Sequence, residues 1–126
     1  MHRFAKIILA LAAFSLATSN AQAQAGIAQA ARAAVERQTQ QLAQELSLST
    51  DQQGRLRQVL LLTRQHMDAD RTANAADPTA LRTAMAYDRA KSEELIRGVL
   101  TPAQYVRYQQ LKAQRIGQLR MTSHTD

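Results

Sequence analysis

The sequence predicts an all-α protein of four helices, built as thin helical hairpins that associate as an antiparallel homodimer. Two observations predict the helices. Apolar residues recur at steps of three and four between residues 27 and 120, and no useful stretch alternates with the period of two that marks strands. A third observation, a helix-start signal that occurs twice, indicates two equivalent halves.

The repeated signal is LSTDQ at residues 48–52 and LTPAQ at residues 100–104. In each copy a leucine precedes a hydroxyl residue, and a glutamine follows the hydroxyl residue three positions later. This is the pattern of a capping box, in which the hydroxyl accepts from the N3 backbone N–H and the N3 side chain reaches back to the N-cap N–H. The signal therefore predicts two helix starts, carried by Leu48, Ser49, Gln52, Leu100, Thr101 and Gln104.

Two L-[TS]-x-x-Q boxes in a short helical chain resemble the Spy/CpxP family of periplasmic chaperones, also called LTXXQ-motif proteins. The resemblance covers roughly residues 42–115, and Ser49 stands where the family usually has threonine. It implies a cradle-shaped dimer that binds unfolded or misfolded client proteins on its concave face without ATP. Two roles agree with it: a general holdase, or an envelope-stress modulator that docks on the periplasmic domain of a sensor kinase.

Residues 1–25 have the pattern of a cleaved secretory signal peptide. A basic start precedes the apolar run at residues 7–16, and Ala21-Gln22-Ala23 is an A-x-A cleavage site. We therefore expect Sec-type export to the periplasm and a mature chain that is soluble and not stably inserted in the membrane. An uncleaved N-terminal anchor is the alternative. The mature chain is predicted as one helical domain at residues 26–120 and a disordered tail at residues 121–126.

Four helices are expected in the mature chain. The first covers residues 27–46, and the second runs from the Ser49 box to Arg71. The third begins with Asp77 at the N-cap and Pro78 at N1, and Gly98 is expected to end it in a left-handed conformation. The fourth covers residues 102–120.

A sparse core is the basis for the expected dimer. The chain has no cysteine, and its only aromatic residues after residue 25 are three tyrosines. Leu61 and Leu62 lie beside the main apolar stripe of the second helix, so one chain has more aliphatic side chains there than it can bury. We expect these two leucines to contact a client or a second subunit.

The sequence gives little support to an enzyme or to a nucleic-acid-binding protein. It contains no glycine-rich phosphate loop and no nucleophile–base arrangement, so neither catalysis nor a cofactor is expected. The formal charge of +6 falls to +4 when residues 1–25 are removed with Arg3 and Lys6. The remaining arginines are spread along all helices, either as solvated faces or as a surface that attracts acidic proteins or anionic lipid headgroups.

One pair of residues has the spacing of metal ligands. His66 and Asp70 are four apart on one helix face, and both could reach the same ion. Two ligands are fewer than the three or four protein ligands of a usual zinc site, so an exposed His–Asp pair is the simpler interpretation. Relatives of the resembled family include metal-binding proteins, so a periplasmic metal-binding sensor or metal-resistance protein is the alternative function.

Overall fold

The structure, a computed structural model, describes the backbone of residues 2–123 and the side chains of residues 21–123. This part of the chain is all-α, with four helices and no strand, which confirms the predicted all-α class and the number of helices. Residues 124–126 of the predicted tail, and with them His124, lie outside the described residues. The helices are α1 His2–Leu46, α2 Thr50–Ala73, α3 Pro78–Val99 and α4 Pro102–Ser123.

The chain divides into two compact units, Met1–Ala34 and Val35–Asp126. Helix α1 begins at His2 rather than near Ile27, where we predicted its start. The earlier start agrees with the alanine-rich and proline-free sequence of residues 2–26, which has high helix propensity. No helix in the described residues is long and apolar enough to cross a membrane.

The core of the second unit is aliphatic and joins all four helices. Leu56 is its most buried large side chain, with an exposed fraction of 0%. Helices α2 and α3 pack directly against each other. Arg57 adds a polar link from α2 to α1, since it donates to both carboxylate oxygens of Glu36 at 2.6 and 3.0 Å. The buried apolar residues are Val35, Leu42, Leu46, Leu48, Leu56, Leu60, Ile96, Val99, Leu100 and Tyr108.

Helix α1 ends in a Schellman motif that the sequence analysis missed. Ser47 has a φ of 54°, in the left-handed region that glycine normally occupies at this position. The N–H of Leu48 then donates to the carbonyl of Ala43 at 3.0 Å, which satisfies one of the last carbonyls of the helix. The motif turns the chain so that Leu48 enters the core immediately before α2.

Helix α3 begins as predicted and ends differently. Asp77 is its N-cap and accepts from the N–H of Ala80 at 3.0 Å. The prediction for Gly98 is wrong, because no glycine in the described residues has a positive φ and α3 continues to Val99. Leu100 then adopts an extended conformation, and the chain enters the next box at once.

Helix α4 continues beyond Arg120 to Ser123. Residues 121–123, predicted to belong to a disordered tail, are therefore helical. The hydroxyls of Thr122 and Ser123 donate to the carbonyls of Leu119 and Arg120, both at 2.9 Å. These bonds satisfy carbonyls of the last turn and extend the helix.

Candidate functional site

Both capping boxes are present with both of their hydrogen bonds. The N–H of Ser49 donates to Gln52 Oε1 at 3.0 Å, and the N–H of Gln52 donates to Ser49 Oγ at 3.1 Å. At the start of α4, the corresponding bonds between Thr101 and Gln104 measure 2.9 and 3.2 Å. The predicted roles of the hydroxyl residues and glutamines as caps are confirmed.

The two box glutamines also bind each other, and we call this contact the glutamine clasp. Gln52 Nε2 lies 2.7 Å from Gln104 Oε1, and Gln104 Nε2 lies 3.3 Å from Gln52 Oε1. Each amide nitrogen also donates to the end of a helix from the other half of the chain: Gln52 to the carbonyl of Val99 at 3.1 Å, and Gln104 to that of Leu46 at 3.2 Å. The clasp therefore stabilises the starts of α2 and α4 and the ends of α1 and α3 together.

A groove with a volume of about 450 Å³ opens beside the core, and we call it the basic groove. Its floor is apolar, and its rim carries four cationic side chains and one carboxylate. The lining side chains are Val35, Gln38, Leu60, Thr63, Arg64, Met67, Arg71, Arg89, Ser92, Glu93, Ile96, Tyr108 and Lys112.

Glu93 is the one carboxylate among the described residues that line the basic groove, and its neighbours bind only one of its two oxygens, since Oε2 is buried without a hydrogen-bond partner within residues 21–123. Glu93 Oε1 accepts from Lys112 Nζ at 2.6 Å and from the Tyr108 hydroxyl at 3.1 Å. Lys112 Nζ also lies 5.4 Å from the centre of the Tyr108 ring. Burial and the negative charge of Glu93 raise the pKa of Tyr108 well above its usual value, so this phenol stays a neutral donor at physiological pH.

Two guanidinium groups of the groove have no partner among the described residues. Arg71 pairs with Asp68 at 2.7 Å, whereas Arg64 and Arg89 make no ion pair or hydrogen bond with any described residue. Ser92 also lines the groove and makes no side-chain hydrogen bond within residues 21–123; the residue is 8% exposed, and its hydroxyl oxygen keeps contact with solvent. The groove thus has two unpaired positive charges and a hydroxyl that is open to solvent.

An apolar extension with a volume of about 280 Å³ continues the basic groove between α1 and α4. It shares Gln38, Tyr108 and Lys112 with the groove. Two of its large side chains remain open to solvent, Ile116 at 51% and Leu119 at 66% exposed. The other side chains that line the extension are Leu42, Leu111 and Arg115.

Leu61 and Leu62 lie outside this groove. Leu61 is half-buried and packs against the core, whereas Leu62 is 45% exposed. Leu62 follows the core residue Leu60 by two positions, which is about 200° around an α-helix. Leu62 therefore faces away from the core and offers an aliphatic contact on the opposite side of α2.

His66 and Asp70 line a common pocket, and the structure adds a carboxyl group that the sequence did not reveal. Asp88, from α3, lies in the same pocket, and the Oδ2 atoms of Asp70 and Asp88 are both buried without a hydrogen-bond partner within residues 21–123. Interaction with the Asp88 carboxyl group and burial raise the pKa of Asp70, and His66 opposes the rise. The two carboxyl groups are therefore close enough to interact between α2 and α3.

The pocket falls short of a usual metal site. Within the described residues, no group of three or more His, Cys, Asp or Glu side chains is arranged to hold a metal ion. The metal-sensor interpretation therefore stays a prediction from His66 and Asp70.

We expect the substitution D70N to stabilise the protein increasingly as the pH rises from about 4 to 7. A carboxyl group with a raised pKa in the folded state contributes its full stability only below the ordinary aspartate value of about 3.9, and this contribution is lost as the pH rises through the folded-state value. An asparagine amide has no negative charge at any pH, so D70N removes the repulsion from Asp88. Urea unfolding of both proteins between pH 3.5 and 7.5 measures the difference.

D68N is the control for this prediction, because Asp68 is an exposed residue on the same helix and pairs with Arg71. It removes the negative partner of an arginine and should give no gain that grows with pH. An equal gain in D68N, or none in D70N, would contradict the interaction between Asp70 and Asp88.

In comparisons with known proteins, no family model, no curated protein and no solved structure matches this chain.

Proposed function

We propose that the protein is an exported, ATP-independent chaperone of the envelope stress response that holds unfolded or misfolded proteins in the periplasm. One observation carries this proposal. The basic groove and its apolar extension place exposed aliphatic side chains beside unpaired cationic groups, over a surface that spans all four helices. The signal-peptide pattern and the resemblance to the Spy/CpxP family support the location and the function.

The arrangement suits loose binding of an unfolded segment. Ile116 and Leu119 are available to apolar side chains of a client without any rearrangement of the core. Arg64 and Arg89 attract acidic residues over a longer range, which increases the rate of encounter more than the affinity. The long, flexible side chains around the groove let it adapt to different sequences.

We further propose that the protein works as an antiparallel homodimer, with Leu62 in the contact between subunits. Leu62 lies on the side of α2 away from the core, so a second copy placed there leaves the basic groove open. A two-fold dimer presents the same patch from both subunits and combines two grooves into a larger binding surface. The periplasmic domain of a sensor kinase is the alternative partner for the same surfaces.

We expect the purified protein to slow the aggregation of a thermally unfolding test protein at near-stoichiometric ratios without nucleotide. The double variant I116S/L119S should lose most of this protection, because both exposed aliphatic side chains of the extension are removed. Light scattering of the test protein over time measures the effect.

V106S is the matched control. Val106 is a 58% exposed aliphatic residue of the same helix that does not line the groove or its extension. It should protect as well as the unmodified protein. If the unmodified protein protects none of several test proteins at low and moderate salt, the chaperone proposal fails. If V106S loses as much protection as I116S/L119S, the groove is not the binding surface.

A further inference from the structure

We propose that the basic groove and its apolar extension form a binding site for a single-chain anionic amphiphile, a straight alkyl chain that ends in a carboxylate. The proposal is independent of client binding. It concerns a small molecule and rests on the two unpaired arginines of the basic groove and on the mainly aliphatic lining of its extension.

In the proposed complex, the carboxylate end of the ligand binds Arg64, Arg89 and Ser92. All three side chains line the basic groove, and none makes a hydrogen bond or ion pair within residues 21–123. The Ser92 hydroxyl keeps contact with solvent and makes no hydrogen bond within residues 21–123, so it is available to a ligand in the groove. A carboxylate accepts from a hydroxyl and from two guanidinium groups at once, and such charge-assisted bonds are the strong ones.

In the proposed complex, the alkyl chain contacts the apolar floor of the basic groove and the apolar extension. Leu60, Met67 and Ile96 provide apolar surface near the arginines. Beyond the shared residues Tyr108 and Lys112, the extension is lined mainly by aliphatic side chains. The volumes of about 450 and 280 Å³ are in the range of known small-molecule sites, which have mostly apolar linings and a few placed polar groups.

Charge selects an anion over a cation or a neutral chain. The groove has four cationic side chains and one carboxylate, Glu93, which accepts two hydrogen bonds at Oε1. Arg115 adds a further positive charge to the lining of the extension. The other side chains that line only the extension are Leu42, Leu111, Ile116 and Leu119.

The test uses dodecanoate, well below its micellar concentration, in isothermal titration calorimetry with the purified protein. We expect saturable binding with one dodecanoate per chain, and at least tenfold weaker binding of dodecyltrimethylammonium and of dodecanol. R64Q/R89Q should weaken dodecanoate binding at least tenfold and reduce its salt dependence. S92A should weaken it severalfold.

R55Q/R82Q is the matched control, because both arginines are exposed on α2 and α3 and neither lines the groove. It should bind dodecanoate as the unmodified protein does. Circular dichroism shows whether each variant is folded, and S92A provides a test that removes no charge. Equal binding of the anionic and cationic amphiphiles, many dodecanoates per chain, or equal losses in R64Q/R89Q and R55Q/R82Q would overturn the proposal. Protection of unfolding proteins without dodecanoate binding would overturn it and leave the chaperone function in place.

Discussion

Replacing Gln104 with alanine is expected to lower the free energy of unfolding by about 2–6 kcal/mol, since each of its hydrogen bonds contributes about 0.5–1.5 kcal/mol net. The side chain makes four such bonds: two to Gln52, one to the N–H of Thr101 and one to the carbonyl of Leu46. Its loss leaves polar groups without partners at the starts and ends of helices. Urea unfolding followed by circular dichroism measures this change. A lower urea concentration at the midpoint, with an unchanged dependence of the free energy on urea, indicates the loss of stability.

The substitution Q104E separates the clasp from the cap. Glutamate keeps an acceptor for the N–H of Thr101 but has no N–H to donate to Leu46 or Gln52. We expect Q104E to cost at least half as much as Q104A. Q110A, at an exposed position of the same helix, should change the stability by less than about 0.5 kcal/mol. If Q104E is as stable as the unmodified protein, the two glutamines act only as separate caps.

The caps were predictable from the sequence, whereas the clasp was not. A capping box lies within four residues, so the pattern around Ser49 and Thr101 is enough to assign its two bonds. Gln52 and Gln104 are 52 positions apart, and their contact depends on how α1, α2, α3 and α4 pack. A repeat of the same box indicates equivalent helices but does not show that the boxes meet.

The wrong predictions of helix ends also arise because a local sequence pattern does not show contacts between helices. Gly98 is the residue type that usually ends a helix, yet the carbonyl of Val99 is satisfied by Gln52 from another helix, so a left-handed glycine is not needed. At the end of α1 the left-handed position is occupied by Ser47, a residue that rarely signals it. At the ends of both α1 and α3, contacts with other helices accompany a backbone conformation that the local residue preferences did not predict.

The groove was visible in the sequence only as its separate parts. Leu60, Ile96 and Tyr108 belong to three apolar stripes, and the arginines could be read as solvated helix faces. Their common lining is a result of packing, as is the contact between Asp70 and Asp88. A carboxyl pair across two helices leaves no spacing signal in a single sequence. Asp70 was therefore assigned only to His66, on its own helix.

Replacing Leu56 with alanine is expected to be the most destabilising single change in the core, with a loss of about 2–5 kcal/mol. Leu56 is 0% exposed and lies among aliphatic side chains, so its removal combines the loss of burial with a new cavity. L62A truncates the same residue type six positions later on α2, at a site that is 45% exposed. In a monomer, its cost should stay below about 1 kcal/mol, because most of the removed surface already contacts water.

The substitution L62S tests what this exposed leucine contacts in solution. If a second copy covers Leu62, light scattering at micromolar concentration should give the mass of a dimer for the unmodified protein and of a monomer for L62S. The far-ultraviolet circular dichroism of the two should be the same. L95S is the control, since Leu95 is a similarly exposed leucine on α3, at 36%. A monomeric unmodified protein, or a dimer that L62S leaves intact, would remove Leu62 from the subunit contact and leave it free for a client or a sensor kinase.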